Sequence, residues 1–299
     1  MNHKVIVIVG PTAVGKTKLG IDLACKFNGE VISGDSMQVY RHLDIGTAKA
    51  TPAEQAQARH HLIDIKSPEE GFSVFEFVTL ANQKITEIIN LGKLPIIVGG
   101  TGLYIQSLID GYHLGGEGNH EKMNQYQHEL ESGPLTNEAL WQKLFLVAPS
   151  SAKQIPIANR RRLVRKLTLA KFQTEFSNQT LDYDFKVIGL NTERELLYQR
   201  INQRVDIMLE MGLLEEALWL KANFPTSQAC QAIGYKELFP YFEGQTSLTD
   251  SVELIKRNSR RYAKRQLTWF RNRMDVQFWD LVKTPEFQEN LESEVMKWL

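Results

Sequence analysis

The sequence predicts an α/β fold built on a parallel sheet, and three observations support this class. Short apolar runs at residues 5–9, 30–33, 62–65 and 94–99 have the length and composition of buried strands. Amphipathic segments separate these runs, so strands and helices alternate along the first 110 residues. The first run leads directly into a glycine-rich turn and a helix. Because strands joined through helices run parallel, we expect a helix-covered parallel sheet.

Residues 10–17 match the phosphate-binding motif G-x-x-x-x-G-K-[ST], directly after the strand at 5–9. In this motif, called the P-loop, backbone N–H groups point inward, the helix N-terminus adds its dipole, and Lys16 supplies a charge. Thr17 offers a hydroxyl to Mg²⁺. An ordinary glycine-rich turn is the alternative, and although ATP is a usual ligand, any diphosphate or triphosphate would satisfy the same donors. The motif consists of Gly10, Pro11, Thr12, Ala13, Val14, Gly15, Lys16 and Thr17.

Two S/T-x-x-E capping boxes predict where helices begin. Ser73 with Glu76 precedes apolar residues at helical spacing, and this helix is expected to run to Gly92. Thr192 with Glu195 is predicted to open a long helix that ends near residue 212.

Composition divides the chain into three segments. Residues 1–112 form the first part of a P-loop NTPase-like catalytic core. Residues 110–138 are acidic and glycine-rich, and the pattern after them is helical, which predicts a helical insertion over 113–184. Residues 185–299 are expected to complete the core with a strand at 185–190 and to be helical throughout their remaining length.

The charge of the chain excludes a globally basic protein. The 299 residues include 35 basic and 35 acidic side chains, so the formal net charge is zero. Any nucleic acid must therefore be bound by a local patch. No apolar run approaches the roughly 20 residues of a membrane span. We expect a cytoplasmic protein with no membrane partner, and a monomer.

Cysteine and histidine give little support for a disulfide or a structural metal site. Cys25 and Cys230 lie far apart and lack metal-ligand spacing, so both are expected to be buried thiols. His60 and His61 are adjacent and do not point together on a regular element. An ordinary packing or solvated role is the interpretation for both histidines.

Two polar residues follow predicted strands at the edge of the sheet where ligands bind. Asp35 comes just after the strand at 30–33, and Thr101 lies among glycines after the strand at 94–99. A carboxylate opposite a bound phosphate can accept a proton from a nucleophile or hold Mg²⁺. The alternatives are a helix cap or turn residue for Asp35 and a simple turn for Thr101.

Two basic stretches contain no acid. Residues 153–171 hold seven Lys or Arg, and residues 256–273 hold eight. Surface helices held by ion pairs normally interleave acids with bases, so these stretches are candidates for phosphate contact, with a solvated basic face as the alternative. The residues that carry the two patches are Arg160, Arg161, Arg162 and Arg165 in the first and Arg257, Arg260, Arg261, Lys264 and Arg265 in the second.

Six blocks in one order resemble the bacterial tRNA dimethylallyltransferases. Besides the P-loop, the blocks are DSMQVY at 35–40, DIGTAK at 44–49, GGTGLY at 99–104, AIGYKE at 232–237 and YAKRQLTWFR at 262–271. Together they cover nearly the whole chain. The resemblance implies transfer of a dimethylallyl group from dimethylallyl diphosphate to N6 of the adenosine at position 37, just 3′ of the anticodon in tRNA, with Mg²⁺ and release of diphosphate.

The resemblance also implies roles for individual residues. The P-loop and Arg204, one of a pair with Arg200, would bind the diphosphate, with Mg²⁺ at Thr17. Asp35 would act as the general base, and Thr101 would position the amine. The tRNA anticodon stem-loop, held in a cleft between core and insertion, would contact a larger set. This set comprises Asp35, Ser36, Met37, Gln38, Thr101, Met123, Arg161, Arg162, Leu163, Val164, Arg165, Gly234, Tyr235, Lys236, Arg260, Lys264 and Arg265.

Two positions depart from the family pattern. Asn159 stands where an acid usually precedes the arginine motif, and Met123 stands where an arginine is often found.

Two other functions would use the same core. A small-molecule P-loop kinase explains the first 110 residues equally well but not the two basic patches. A nucleotide-switched RNA-binding protein would show nucleotide-dependent RNA affinity without a covalent product.

Overall fold

A six-stranded, all-parallel sheet forms the centre of the larger of two units. Its strand order is β3-β2-β4-β1-β7-β8. Every side chain from Val5 to Val9 in β1 is fully buried. Successive side chains of a strand point to opposite faces, so both faces of this central strand are covered. The predicted α/β fold with a parallel sheet is confirmed. The six strands are β1 (His3–Val9), β2 (Gly29–Ser33), β3 (His60–His61), β4 (Leu94–Gly99), β7 (Tyr183–Leu190) and β8 (Gln277–Trp279).

The structure, a computed structural model, describes residues 3–113, 120–172, 177–178 and 182–299. The chain divides into one unit of Met1–Asp110 with Leu181–Leu299 and a second unit of Gly111–Thr180. The sequence placed the corresponding boundaries at 112 and 184. Within the described residues, no helix is both long and apolar enough to cross a membrane.

Thirteen helices occur in the described residues. In the larger unit these are α1 (Lys16–Lys26), α2 (Pro52–Gln57), α3 (Val74–Asn90), α4 (Gly102–Ile109), α9 (Arg194–Glu210), α10 (Leu213–Asn223), α11 (Phe239–Phe242), α12 (Leu248–Arg273) and α13 (Phe287–Trp298), with a 3₁₀ turn at Gln228–Gln231. The smaller unit contains α5 (His120–Ser132), α6 (Asn137–Val147), α7 (Pro149–Lys153) and α8 (Arg160–Lys171), with β5 (Tyr112–His113) antiparallel to β6 (Ser177–Asn178).

Apolar side chains of three helices form the core of the smaller unit. Leu140 and Leu144 of α6 and Leu163 and Val164 of α8 are fully buried, and Leu130 of α5 packs with them. Leu140 and Leu144 are four residues apart, and Leu167 follows Leu163 and Val164 by four and three residues, so α6 and α8 each have one buried face. The basic residues of α8 therefore lie on its remaining surface.

The capping box of Ser73 and Glu76 forms as predicted and begins α3. The one predicted from Thr192 and Glu195 is wrong, because the Thr192 hydroxyl donates to Asp280 Oδ2 (2.9 Å) and α9 begins without a side-chain cap. A third box, Thr51 with Glu54, begins α2 and was not predicted.

Three further predictions are corrected by the structure. The strand expected at 62–65 lies at His60–His61, because Leu62 and Asp64 adopt positive φ values that a strand excludes. The C-terminal third is not helical throughout, since β8 pairs with β7 as an edge strand. Cys25 is exposed, and only Cys230 is buried.

Candidate active site

The carboxyl ends of β1, β2 and β4 meet at one edge of the sheet. Gly34, just after β2, donates its N–H to Val98 O of β4 (2.8 Å), and Val9 of β1 pairs with Gly99. A Cβ atom on Gly99 would lie 2.4 Å from Gly34 O. Only glycine allows this approach, which brings the P-loop and the segments after β2 and β4 side by side.

The P-loop leaves the N-terminus of α1 open to an anion. Gly15 has a φ of 99° and precedes the first helical residue, and no side chain caps this end of the helix. The half-buried Lys16 donates from Nζ to Pro11 O (2.7 Å), so its ammonium folds back over the loop. The N–H groups of an uncapped helix N-terminus beside a lysine are the arrangement that binds phosphate.

Three cationic side chains lie at this loop. Burial and the neighbouring Arg204 lower the pKa of Lys16 to about 7, although Asp35 acts in the opposite direction. Burial likewise lowers the pKa of Arg204, whose guanidinium donates to Thr12 Oγ1 (3.4 Å). Arg200 donates from Nε to Ala13 O (2.8 Å). A bound phosphate group would supply negative charge opposite these cations.

Asp35 lies beside this positive region, and the pKa of its carboxyl group is raised. Burial raises its pKa, although the backbone N–H of Met37 and the charge of Lys16 act in the opposite direction. Oδ1 accepts from Met37 N (2.8 Å), so Asp35 also has the turn role considered as its alternative. A carboxylate with a raised pKa is a stronger proton acceptor than an ordinary one.

Thr101 joins the Asp35 segment to α12. Its Oγ1 accepts from Ser36 N (3.2 Å), and its side chain is hydrogen-bonded to Tyr262. Although Thr101 precedes α4, its hydroxyl does not cap that helix. Burial, together with Asp35, raises the pKa of Tyr262 to about 12, so this phenol stays protonated. The sequence analysis did not select Tyr262 as a site residue.

Gln266 is a second residue that the site prediction missed. Its Oε1 accepts from Thr12 N of the P-loop (3.0 Å), and its Nε2 donates to Gly100 O (2.9 Å). The amide therefore connects the ends of β1 and β4 to α12. One signal was available, because Gln266 shares the buried face of α12 with Ala263 and Phe270, where a polar side chain needs a partner.

Lys16, Asp35, Arg204, Tyr262 and Gln266 line one cavity of about 360 Å³ within the larger unit, and Thr101 lies behind its wall, bonded to Ser36. A cavity of this volume can hold a small ligand or one edge of a nucleobase. Its wall includes residues from the P-loop, the segment after β2, the loop at 46–48 and helices α9 and α12. The residues that carry the argument are Lys16, Thr17, Asp35, Gln38, Arg204 and Gln266.

A sequence model of the IPP transferase family matches residues 38–273. The chain belongs to this family. It is 60% identical over 280 residues to the tRNA dimethylallyltransferase of Lactococcus lactis subsp. lactis (strain IL1403), with 94% of this chain and 93% of that protein covered. The resemblance found in the sequence is confirmed.

Solved structures of family members share the fold. The tRNA isopentenylpyrophosphate transferase of Bacillus halodurans is 45% identical with a TM-score of 0.75, covering 99% of this chain and 96% of that one. A eukaryotic dimethylallyltransferase acting on tRNA is 29% identical with a TM-score of 0.83, and the match covers 97% of this chain and 77% of that one.

The family's arginine motif lies on α8 in the smaller unit. Arg161, Arg162 and Arg165 are exposed and form no ion pair with an acid in the described part of the chain. Leu163 and Val164 are buried in that unit's core, so their side chains are not available to an RNA. Arg160 is also unavailable, because its guanidinium donates to carbonyls including Leu130 O and Leu135 O. The half-buried Met123 lies on α5.

The remaining expected contacts are divided between exposed and buried groups. Lys236, Lys264 and Arg265 are exposed, whereas the side chain of Tyr235 is fully buried and Gly234 is buried with it. The side chain of Tyr235 is therefore not available to an RNA. Arg260 is half-buried and donates to Asn202 Oδ1 of α9 (2.6 Å), which fixes one of its nitrogens.

Proposed function

We propose that this protein transfers the dimethylallyl group of dimethylallyl diphosphate to N6 of the adenosine 3′ of the anticodon, position 37, in tRNA. The observation that carries the proposal is the placement of a phosphate-binding loop and a carboxyl group with a raised pKa around one cavity, with Thr101 hydrogen-bonded to the cavity-lining Ser36. The family to which the chain belongs, and its relatives named tRNA dimethylallyltransferase, support this reaction.

The donor half of the site would stabilise the leaving group. During transfer, the bond between the allylic carbon and the diphosphate oxygen breaks and its electron pair leaves with the diphosphate. Negative charge therefore grows where the P-loop N–H groups, Lys16 and Arg204 converge. Preorganised donors that need little rearrangement lower the barrier most at this point.

Mg²⁺ fits the donor set of this half. It prefers oxygen ligands, keeps several waters and is usually bound through one or two protein groups with substrate phosphates. Thr17 offers a half-buried hydroxyl at the N-terminus of α1 beside the cavity. We propose that Thr17 holds the ion, which would neutralise charge on the diphosphate when bound.

The acceptor half would bring an amine to the allylic carbon. The lone pair of adenine N6 is delocalised, so the amine needs orientation and a proton acceptor. Asp35 would take the N6 proton as the new carbon–nitrogen bond forms, and Thr101 would orient the amine. A base stacked in the anticodon loop cannot enter a cavity of this kind, so it must be flipped out.

RNA binding would come from exposed basic residues rather than from net charge. Arg161, Arg162 and Arg165 on α8 and Lys264 and Arg265 on α12 are exposed cations that form no ion pair with an acid among the described residues. Phosphate contacts of this kind position an RNA, while the target base is selected by shape and stacking. We propose that a tRNA anticodon stem-loop is the partner of these residues.

The test incubates the protein with dimethylallyl diphosphate, Mg²⁺ and unmodified tRNA that carries adenosines 3′ of the anticodon. N6-dimethylallyladenosine is expected on nucleoside mass spectrometry, together with one diphosphate released per modified tRNA. A matched tRNA with guanosine at the target position is the control and should give no product. Absence of product with the authentic tRNA, or ATP-dependent phosphorylation of a small alcohol instead, would refute the proposal.

A further inference from the structure

Glu216 on α10 accepts four hydrogen bonds from groups that lie far away in the sequence. Its Oε2 accepts from the backbone N–H groups of Asp44 (2.7 Å) and Ile45 (2.9 Å). Its Oε1 accepts from Gly46 N (2.8 Å) and from the hydroxyl of Tyr235 (2.7 Å). One carboxylate thus holds three consecutive amides of the DIGTAK segment, residues 44–49, against the AIGYKE segment.

The arrangement requires a carboxylate rather than another polar side chain. All four partners are donors, and a carboxylate is acceptor-only on both oxygens. Glutamine has the same shape but would point an amide N–H at other donors. The Tyr235 ring is fully buried, and a Cβ atom on Gly46 would lie 2.6 Å from it, so the loop lies directly on the ring. Burial and the charge of Glu216 raise the pKa of Tyr235, which therefore remains a donor.

The loop that Glu216 holds orients a side chain of the acceptor wall. Gln38 donates from Nε2 to Thr47 O (3.3 Å) and Ala48 O (3.2 Å), while its Oε1 accepts from Ser33 Oγ (2.8 Å). These contacts fix which end of the amide faces which partner. Gly46, Thr47 and Ala48 line the cavity beside Asp35 and Gln38.

The same anchor has no direct contact with the donor half. The P-loop is held by Arg200, Arg204 and Gln266, from α9 and α12. Among the described residues, the hydrogen bonds of the Glu216 carboxylate go to the DIGTAK segment and Tyr235. A change at Glu216 should therefore move the acceptor wall and leave the phosphate cradle in place.

We propose that Glu216 is a positioning residue for the acceptor base, which acts through residues 44–48 and Gln38. The inference rests on the proposed prenyl transfer and adds a residue to it. Glu216 touches neither donor nor adenine in this assignment. Its role is to hold the cavity wall that orients the flipped base toward Asp35. A misplacement of the reacting base by about 1 Å costs on the order of 100-fold in rate.

The test compares Glu216→Gln with Glu215→Gln in steady-state prenylation assays. Glu215 is the neighbouring exposed acid of the same helix and has no hydrogen-bond or ion-pair partner among the described residues. We expect Glu216→Gln to lower kcat/KM for tRNA about 10- to 100-fold while KM for dimethylallyl diphosphate stays within about twofold. Glu215→Gln should match the wild type in both parameters.

Tyr235→Phe gives a second variant that retains the buried ring. It removes one of the four donors, so we expect a loss of about 3- to 10-fold in the same tRNA parameter, with no further loss when combined with Glu216→Gln. Independent, multiplying losses would overturn the inference. So would equal kcat/KM values for Glu216→Gln and Glu215→Gln, or a parallel loss of donor binding, which indicates a merely structural role. No product from the wild type would refute the proposed function itself, and the inference with it.

Discussion

Binding of diphosphate should depend on pH because Lys16 lies near its titration point. Burial and the neighbouring Arg204 lower the pKa of Lys16 to about 7, although Asp35 acts in the opposite direction. A bound diphosphate favours the ammonium form and would raise this pKa again, so binding should take up a proton. The affinity for diphosphate should reach its maximum below pH 7 and should fall as the pH rises through 7.

The magnitude follows from the fraction of lysine that is charged. If only the ammonium form binds, a free pKa of about 7 predicts that the dissociation constant rises about twofold from pH 6 to 7 and about 50-fold from pH 7 to 9. Proton uptake per diphosphate should be about 0.5 at pH 7 and about 0.9 at pH 8. The range above pH 7 isolates the lysine when the ligand is dimethylallyl diphosphate, because the last ionisation of a phosphate ester lies near pH 6.

Isothermal titration with dimethylallyl diphosphate, in the absence of tRNA, measures both quantities when it is repeated in two buffers of different ionisation enthalpy. Lys16→Arg keeps its charge over this range and should give a flat profile. Lys18→Ala removes an exposed lysine of the same helix, paired with Asp22, and should retain the wild-type slope. A wild-type affinity that is constant from pH 7 to 9, without proton uptake, would refute the reasoning.

Three further outcomes are expected. Asp35→Asn should lower kcat by about 100-fold or more and leave tRNA affinity within about threefold, which filter binding checks; a large loss of affinity would make Asp35 a recognition residue. Arg161→Ala and Arg265→Ala should each reduce the salt dependence of tRNA binding by about one phosphate contact, and unchanged slopes would place both off the interface. Glu30→Gln removes a buried charge paired with Lys93 Nζ (2.6 Å) and should cost about 3 kcal/mol in urea denaturation without changing activity at saturating substrate. Unchanged stability would contradict that assignment.

The sequence predicts the parts of the fold that local pattern determines. Residues 5–9 are apolar because β1 is central and buried on both faces, and the capping box at Ser73 is formed within four residues. These features depend on neighbours in the chain, so composition and spacing suffice to find them.

The errors arise where a distant contact overrides a local preference. Thr192 has the pattern of a cap, but its hydroxyl bonds to Asp280. The apolar run at 62–65 resembles a strand, yet two of its residues adopt positive φ values and the pairing falls on His60–His61. β8 is three residues long and exists because β7 offers an edge. No window of sequence contains the partner that decides these cases.

The same division explains which site residues were found. Asp35, Thr101 and the P-loop follow strands, so the rule for parallel sheets indicates them. Glu216 and Gln266 act across about 170 and 250 residues, and each lies within a helix whose pattern indicates only amphipathicity. Their importance comes from the groups that the fold brings to them.

Helix α12 shows how a neutral protein can still bind a polyanion. Its outer side carries Arg261, Lys264 and Arg265, while its buried face carries Gln266, which bonds to Thr12 of the P-loop and to Gly100. One continuous helix therefore links an exposed basic surface to the strand ends that form the active site. An RNA held on that surface would have its position set relative to the donor site by a rigid element. Net charge, which sums this helix with the acidic residues elsewhere, carries no information about such an arrangement.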